Sequence, residues 1–315
     1  MSVALLCVVV LLAQGEIPEA GVEPPTTEAP PSQAPPPVPV AEKGFWKNEL
    51  WQPHWRKFGV FDYAGTVLTA GALIGFEQLN VHERLVSIGG RNQFEGPIAD
   101  FFSLNTVHGR DEAADISDHI LFNSQWYPYL LDGILVPLLV HRDPETMWQM
   151  SMMNVQAFAV STLIVRMGHR FVARDRPALA RCSNDPGYYY GCDNIGAFGN
   201  YSSFLSGHVS VVATAAGLTC AHHQHVPLYG GGFWDDFACG SMLTLTGIQG
   251  VLRMMADKHY VSDMVLGTLI GLAAGYAIPT YLHYEWNPLP KSELKVSLLP
   301  QVTDTTTGVS VFGRF

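Results

Sequence analysis

Apolar and polar positions along the chain fall into six stretches of helical character, over residues 63–79, 118–140, 146–170, 207–222, 234–255 and 262–281. Within them the bulky apolar residues alternate with Ala, Gly, Ser and Thr, small side chains that allow close helix–helix contact. The last stretch contains 19 residues without a charge, 264–282; shorter uncharged runs of 14, 13 and 16 residues lie at 63–76, 209–221 and 237–252. A bilayer span takes about 20 apolar residues. The pattern predicts an all-α bundle of six helices suited to a membrane.

Different patterns flank the bundle. Residues 2–12 are apolar and end in Leu12-Ala13-Gln14-Gly15, which predicts a signal peptide over 1–15. Residues 16–43 contain Pro24-Pro25, Pro30-Pro31 and Pro35-Pro36-Pro37 and predict an extended, disordered linker. A Trp-rich stretch with Trp46, Trp51 and Trp55 then opens a folded domain expected over 44–290. Beyond it, Leu294-Lys295-Val296-Ser297-Leu298 and Val309-Ser310-Val311-Phe312 alternate in character around a turn-like Asp304 to Gly308, which predicts a β-hairpin within 291–315.

Composition sharpens this picture. The chain of 315 residues is 48% hydrophobic and 15% charged, against roughly 25% charged residues in ordinary soluble domains. Of the net charge of −10, five acids (Glu16, Glu19, Glu23, Glu28, Glu42) precede the first base, Lys43, so the remainder carries 18 bases against 23 acids. No basic stripe is present, which argues against nucleic-acid binding. Removal of a signal takes Cys7 with it and leaves Cys182, Cys192, Cys220 and Cys239. Cys182 and Cys192 flank a Gly- and Tyr-rich loop; Cys220 and Cys239 lie at facing ends of two predicted helices. Both pairs suit disulfides in an oxidising compartment.

Three short runs carry the candidate chemistry. His259 and Asp263 are four residues apart at a helix start and can share one face. A carboxylate on one imidazole nitrogen fixes the tautomer and leaves the other to attack or take a proton. Arg253, six residues earlier, can reach the same pocket. Ser206-Gly207-His208 opens another helix, whose N-terminal N–H groups and dipole suit an anion. There Ser206 can donate to an equatorial oxygen and His208 can protonate a leaving oxygen. Arg170, Arg174 and Arg176 precede Pro177; guanidinium forks bind phosphate oxygens bidentately. His222, His223 and His225 lie at the far end of the Ser206 helix and read as a polar helix end, with no metal expected. Tyr188-Tyr189-Tyr190 can line an entrance or form a surface loop.

Together these runs resemble the type 2 phosphatidic acid phosphatase (PAP2)/vanadium haloperoxidase superfamily, whose motifs read K-x6-R-P, P-S-G-H and S-R-x5-H-x3-D. Here they stand as His169-x6-Arg176-Pro177, Leu205-Ser206-Gly207-His208 and Leu252-Arg253-x5-His259-x3-Asp263, and the resemblance covers roughly residues 63–284. It implies a six-helix bundle with His259 as a nucleophile forming phosphohistidine. It also implies Asp263 as its orienting carboxylate, His208 as general acid, and Arg176, Arg253, Ser206 and Gly207 around the phosphoryl oxygens. Ester hydrolysis in the family needs no metal or cofactor. Leu205 and Leu252 depart from the motif proline and serine with small consequences. His169 at the lysine position removes a phosphate-binding charge, and Arg170, His169 or Arg174 is expected to supply it, with Arg170 favoured.

The expected activity is hydrolysis of a phosphomonoester or pyrophosphate, with a lipid phosphate such as phosphatidic acid or polyprenyl pyrophosphate as substrate. The expected place is the cell envelope, with the bundle in the inner membrane and the site facing the periplasm. Three readings stay open beside it: a soluble periplasmic non-specific acid phosphatase, a vanadate-dependent haloperoxidase, and a catalytically impaired envelope binding protein. Topology bears on the choice. A cleaved signal starts the domain outside, and three spanning helices would then carry Arg176 to the cytoplasmic side, where the Cys182/Cys192 loop does not belong.

Overall fold

The structure, a computed structural model, describes residues 49–78, 85–182, 187, 188, 192 and 198–286, together with the backbone of two strands at 295–303 and 306–314. The chain divides into two units, Met1–Glu42 and Lys43–Phe315, and every described residue belongs to the second. The expected signal peptide and Pro-rich linker lie outside the described residues.

Helix α1 spans Val60–Gln78, α2 Glu95–Phe102 and α3 Val107–Trp126, which continues as π-helical turns over Tyr127–Val140. Then follow α4 (Pro144–Phe171), α5 (Leu179–Cys182), α6 (Gly207–His225), α7 (Phe233–Met255) and α8 (Val261–Leu272), the last extended by π-helical turns at Ala273–Ala277 and Thr280–Tyr284. Two short strands, β1 (Val86–Ile88) and β2 (Val172–Arg174), pair in parallel. The expected hairpin is present as antiparallel β3 (Lys295–Thr303) and β4 (Thr306–Arg314). Its register runs to Thr303↔Thr306, so Thr306, Thr307 and Gly308 of the turn-like stretch belong to β4. The molecule is mainly helical, as expected, with two short helices, α2 and α5, beyond the six predicted stretches.

The second predicted helix begins at Val107, not at 118. Its first turns (His108, Arg110, Asp111, Glu112) lack an apolar stripe, and they form because Thr106 caps them by accepting from the Gly109 amide. Pro128 and Pro137 lie inside its continuation, where proline cannot support regular α-helical bonding. Side chains of α4 satisfy backbone oxygens there: Asn154 donates to Pro128 O at 2.7 Å and Ser151 to Gly133 O at 3.2 Å.

Helix α6 is the axis of the bundle and packs against α3, α4, α7 and α8. Its approach to α8 depends on glycine at three positions one turn apart. A Cβ at Gly267 would lie 2.7 Å from Ser206 O, at Gly271 2.3 Å from Ser210 O, and at Gly275 2.1 Å from Thr214 O. This close seam brings the N-termini of α6 and α8 together, and the Ser206 amide donates to Asp263 O at 3.1 Å.

Elements that carry the candidate residues collect at one end. There β2 follows α4, α6 and α8 begin, and Leu104 bonds to Met255 O at 3.2 Å. The opposite end is closed by Trp51, Trp55, Phe58, Leu228 and Tyr284 in one buried cluster. Asp143, which caps α4, also accepts from the Leu50 amide at 2.8 Å and anchors the incoming segment there.

Candidate active site

His259 is buried in the turn between α7 and α8. Asp257 supplies the reversal with a left-handed backbone at φ 54°. The ring Nδ1 of His259 lies 2.8 Å from Ser203 O. A carbonyl oxygen can only accept, so Nδ1 carries the hydrogen and Nε2 keeps its lone pair. Burial, then the charges of Arg253 and Arg176, push the His259 pKa well below its usual value. The ring is therefore neutral at neutral pH, the form that can act as a nucleophile.

Asp263 stands one shell back from this ring. Its Oδ2 accepts from Ser203 Oγ at 2.7 Å and from the Tyr260 amide at 3.1 Å, and its Oδ1 pairs with Arg174. The direct carboxylate–imidazole bond expected from the four-residue spacing is replaced by a relay. Asp263 holds Ser203, and the Ser203 carbonyl orients His259. Arg174 differs from expectation more clearly. It is buried with both terminal nitrogens committed, to Asp263, to Glu95 and to Ser262 Oγ. Its charge offsets two carboxylates and is not turned to a phosphate.

Glu95, from α2, completes this network by accepting from Asn92 and from the Ser262 amide and hydroxyl. Burial alone would raise its pKa, but the Ser262 bonds and the Arg174 charge outweigh burial and hold the carboxyl below its usual value. Nothing in the local sequence singles out Glu95, because its partners lie 79 and 167 residues away.

At the start of α6, Ser206 is buried at its N-cap, and its hydroxyl neither caps the helix nor bonds any described residue. A Cβ on Gly207 would touch Val165 and, at 3.7 Å, His169 Cε1. His169 Nε2 is bonded to Leu205 O at 2.7 Å. The residue at the motif-lysine position is thus a prop beneath the loop. Arg170 lies beside it in the last turn of α4.

His208 Nε2 lies 2.8 Å from Asp118 Oδ1, a partner on α3 that the sequence reading passed over. Burial and the Arg253 charge lower the His208 pKa to about 4, with Asp118 acting against them. Arg253 is buried, with Nη1 3.4 Å from Ser117 Oγ and 3.5 Å from Asp118. Arg176 acts electrostatically on His208, Lys258 and His259 alike. The two arginines and two histidines of the three runs therefore lie close enough to act on one another electrostatically, together with Lys258, a residue inside the x5 spacer that the motif does not mark.

A second cluster covers the turn. Tyr188 packs its ring beneath Arg110 at 3.8 Å and near Arg181 at 5.1 Å, while its hydroxyl bonds Asp257 and lies 3.0 Å from Ser103 Oγ. Cys182 and Cys192, which bracket Tyr188, are disulfide-bonded, as are Cys220 and Cys239. Tyr189 and Tyr190 lie outside the described residues. The three clustered histidines of α6 are each engaged by other residues: His222 contacts Asn154 and Tyr284, His223 bridges Asp132 and Asp235, and His225 stacks on Tyr284.

Residues 151–287 match the family model described as the PAP2 superfamily. That span contains β2, the α6 N-terminus and the α7–α8 turn, but not Glu95 or Asp118. No curated protein and no solved structure gives a significant match to the chain. With the three motif-bearing segments gathered at one end of the bundle and the family model matched across them, residues 151–287 of the chain are similar to the PAP2 superfamily.

Proposed function

We propose that the chain is a phosphohydrolase that works through a phosphohistidine on His259 and acts on the phosphate of an amphiphilic ester. PAP2 superfamily members are generally phosphatases acting on phosphoesters. The observation that carries the mechanistic reading is the Nδ1–Ser203 O contact, which leaves a neutral Nε2 under the charges of Arg176 and Arg253.

In this reading Nε2 attacks phosphorus, the P–N bond forms, and the P–O bond to the leaving group breaks. The leaving oxygen takes its proton from His208. The phosphate dianion and the Asp118 carboxylate together favour the imidazolium that this step needs. Water then attacks phosphorus and gives its proton to His208 as the P–N bond breaks, releasing inorganic phosphate. No metal is required in either step.

An apolar cleft supports the amphiphilic substrate. A cavity of 440 Å³ lies between α7 and α8, with Met254, Val261 and Met264 at the catalytic end. Leu243, Leu269 and Leu272 also line an adjoining 960 Å³ cavity that reaches the far end. Large apolar side chains stand exposed on α1 (Phe61, Val67, Leu68) and α7 (Phe233, Trp234, Phe237), a lipid-compatible surface. Among the described residues, Val261–Tyr284 is the one helix long and apolar enough to cross a membrane.

One observation favours a second reading, an exported soluble phosphatase. Cys182–Cys192 lies at the catalytic end, whereas Cys220–Cys239 joins the late part of α6 to the early part of α7, toward the opposite end. Both ends then share an oxidising compartment.

The test is phosphate release with EDTA present, from an alkyl phosphate series of increasing chain length. Activity that survives the chelator, is lost by roughly 10⁴-fold in His259→Ala and rises with chain length supports the proposal. Equal rates across chain lengths move the substrate to small esters. Loss with EDTA overturns the metal-independent mechanism.

A further inference from the structure

We propose that Lys258 supplies the third phosphate-binding cation of the site, from the α7–α8 turn instead of from α4. This rests on the phosphohydrolase reading above. His169 has its Nε2 on Leu205 O at 2.7 Å and its ring beneath Gly207, and its charge weighs less on His259 than those of Arg253 and Arg176. Arg174 is tied to Glu95 and Asp263. Arg170 is not among the charges that weigh most on His259 or Lys258.

Lys258 directly precedes His259, and its amide donates to Arg253 O at 3.0 Å. The residue is only 9% exposed, an unusual state for a lysine. The charges acting on its ammonium are Arg176 and Arg253, which also act on His259, opposed by Asp111 and Asp118 of α3. Lys258 and the nucleophile, neighbours in one buried turn, thus stand in the field of the same two guanidiniums. Burial first, and the two guanidiniums second, lower the Lys258 pKa to about 8. A dianion bound among the three would relieve the repulsion they impose on one another.

The turn that sets Lys258 is itself fixed. Asp257 accepts from Ser103 Oγ at 2.7 Å and from Tyr188, and its main-chain oxygen accepts from the Ala178 amide at 3.2 Å.

The experiment compares wild type, Lys258→Met, Lys258→Arg and Arg170→Met for phosphate release, for affinity toward inorganic phosphate by calorimetry, and for thermal melting. We expect Lys258→Met to weaken phosphate binding at least tenfold while melting at the same temperature or higher. Lys258→Arg should stay within about threefold of wild type, and Arg170→Met should change little. Full phosphate affinity in Lys258→Met, or a loss confined to Arg170→Met, overturns the assignment. A lower melting temperature with unchanged phosphate affinity would make Lys258 structural. Calorimetry keeps the two readings apart. A wild type that binds phosphate through Lys258 but releases none from any ester refutes the hydrolase reading alone.

Discussion

At the scale of single residues, the site places charges where burial makes them costly, and each cost is measurable. Lys258 has a folded-state pKa of about 8 against 10.5 for the free side chain. Because the folded value is the lower one, keeping the ammonium protonated below pH 8 costs stability, roughly 3 kcal/mol. That cost fades as pH rises from about 8 toward 10.5. Lys258→Met removes it, so the variant's gain in melting temperature should be largest near neutral pH and vanish at pH 10.5. Scanning calorimetry across that range checks this; a gain independent of pH would mean that better packing, not charge, is responsible. Glu95 is the converse case. Replacing it by Gln weakens the bonds from Arg174 and Ser262 while Asp263 still balances the guanidinium, and should cost about 1.5–3 kcal/mol. Urea midpoints read that loss. His208 offers a chemical test: His208→Ala should lower hydrolysis of an alkyl phosphate by about 10²–10⁴-fold, yet affect a 4-nitrophenyl ester far less, since its leaving group needs little proton assistance. Equal losses on both esters would remove the general-acid role.

At the scale of elements, two contacts decide whether the site is assembled. The glycine seam between α6 and α8 sets how closely Ser206 approaches Asp263. A methyl at Gly271 would meet Ser210 O at 2.3 Å and Ala213 Cβ at 2.6 Å, so Gly271→Ala must push the helices apart. The expected cost is about 1–3 kcal/mol, with a drop in kcat/KM larger than a loss of folded protein explains. Gly240→Ala, where the added methyl meets nothing within 4 Å, is the matched control. The second contact is the Tyr188 key in the Asp257 turn. Cys182–Cys192 closes the loop that holds Tyr188, so mild reduction should lower activity, and Tyr188→Phe should reproduce part of the loss by removing the Asp257 bond alone. Activity indifferent to reductant and to Tyr188→Phe would leave the loop a bystander.

At the scale of the whole molecule, the end that carries the candidate site and the aromatic cap formed by Trp51, Trp55 and Tyr284 lie at opposite ends of the bundle. Three long helices, α1, α3 and α4, separate the segment at Leu50 from β2. If the bundle spans a membrane, that segment and the site face opposite sides. The exposed apolar faces of α1 and α7 favour such a setting, and the Cys220–Cys239 bond favours one oxidising compartment for both ends. The two settings give different outcomes on fractionation. A membrane bundle stays with the membrane pellet through a carbonate wash and requires detergent, whereas the exported soluble form leaves with the osmotic-shock fluid.

Much of this was legible along the chain, for local physical reasons. Helical stretches announce themselves by apolar period and small-residue content, so α1, α4, α6, α7 and α8 fall close to their expected places. The motif residues His259, His208, Arg176 and Arg253 are recognisable because their spacing is set by single turns and helix starts. What local pattern could not reveal is every pairing made across the fold. The polar first turns of α3 carry no stripe, yet they bring Asp118 to His208. Glu95 belongs to a short helix whose purpose appears only against Arg174 and Ser262. Arg174 and Arg176, two residues apart in one run, part company because one is drawn into a buried ion network and the other into the pocket. Lys258 reads as a spacer residue until the turn buries it beside two guanidiniums. Periodicity and motif spacing are properties of neighbouring residues, and they determined the helices and the candidate reacting groups. The electrostatic partners of each group come from segments up to 167 residues away, and only their packing decided which charges are tied into buried ion networks and which act on His259.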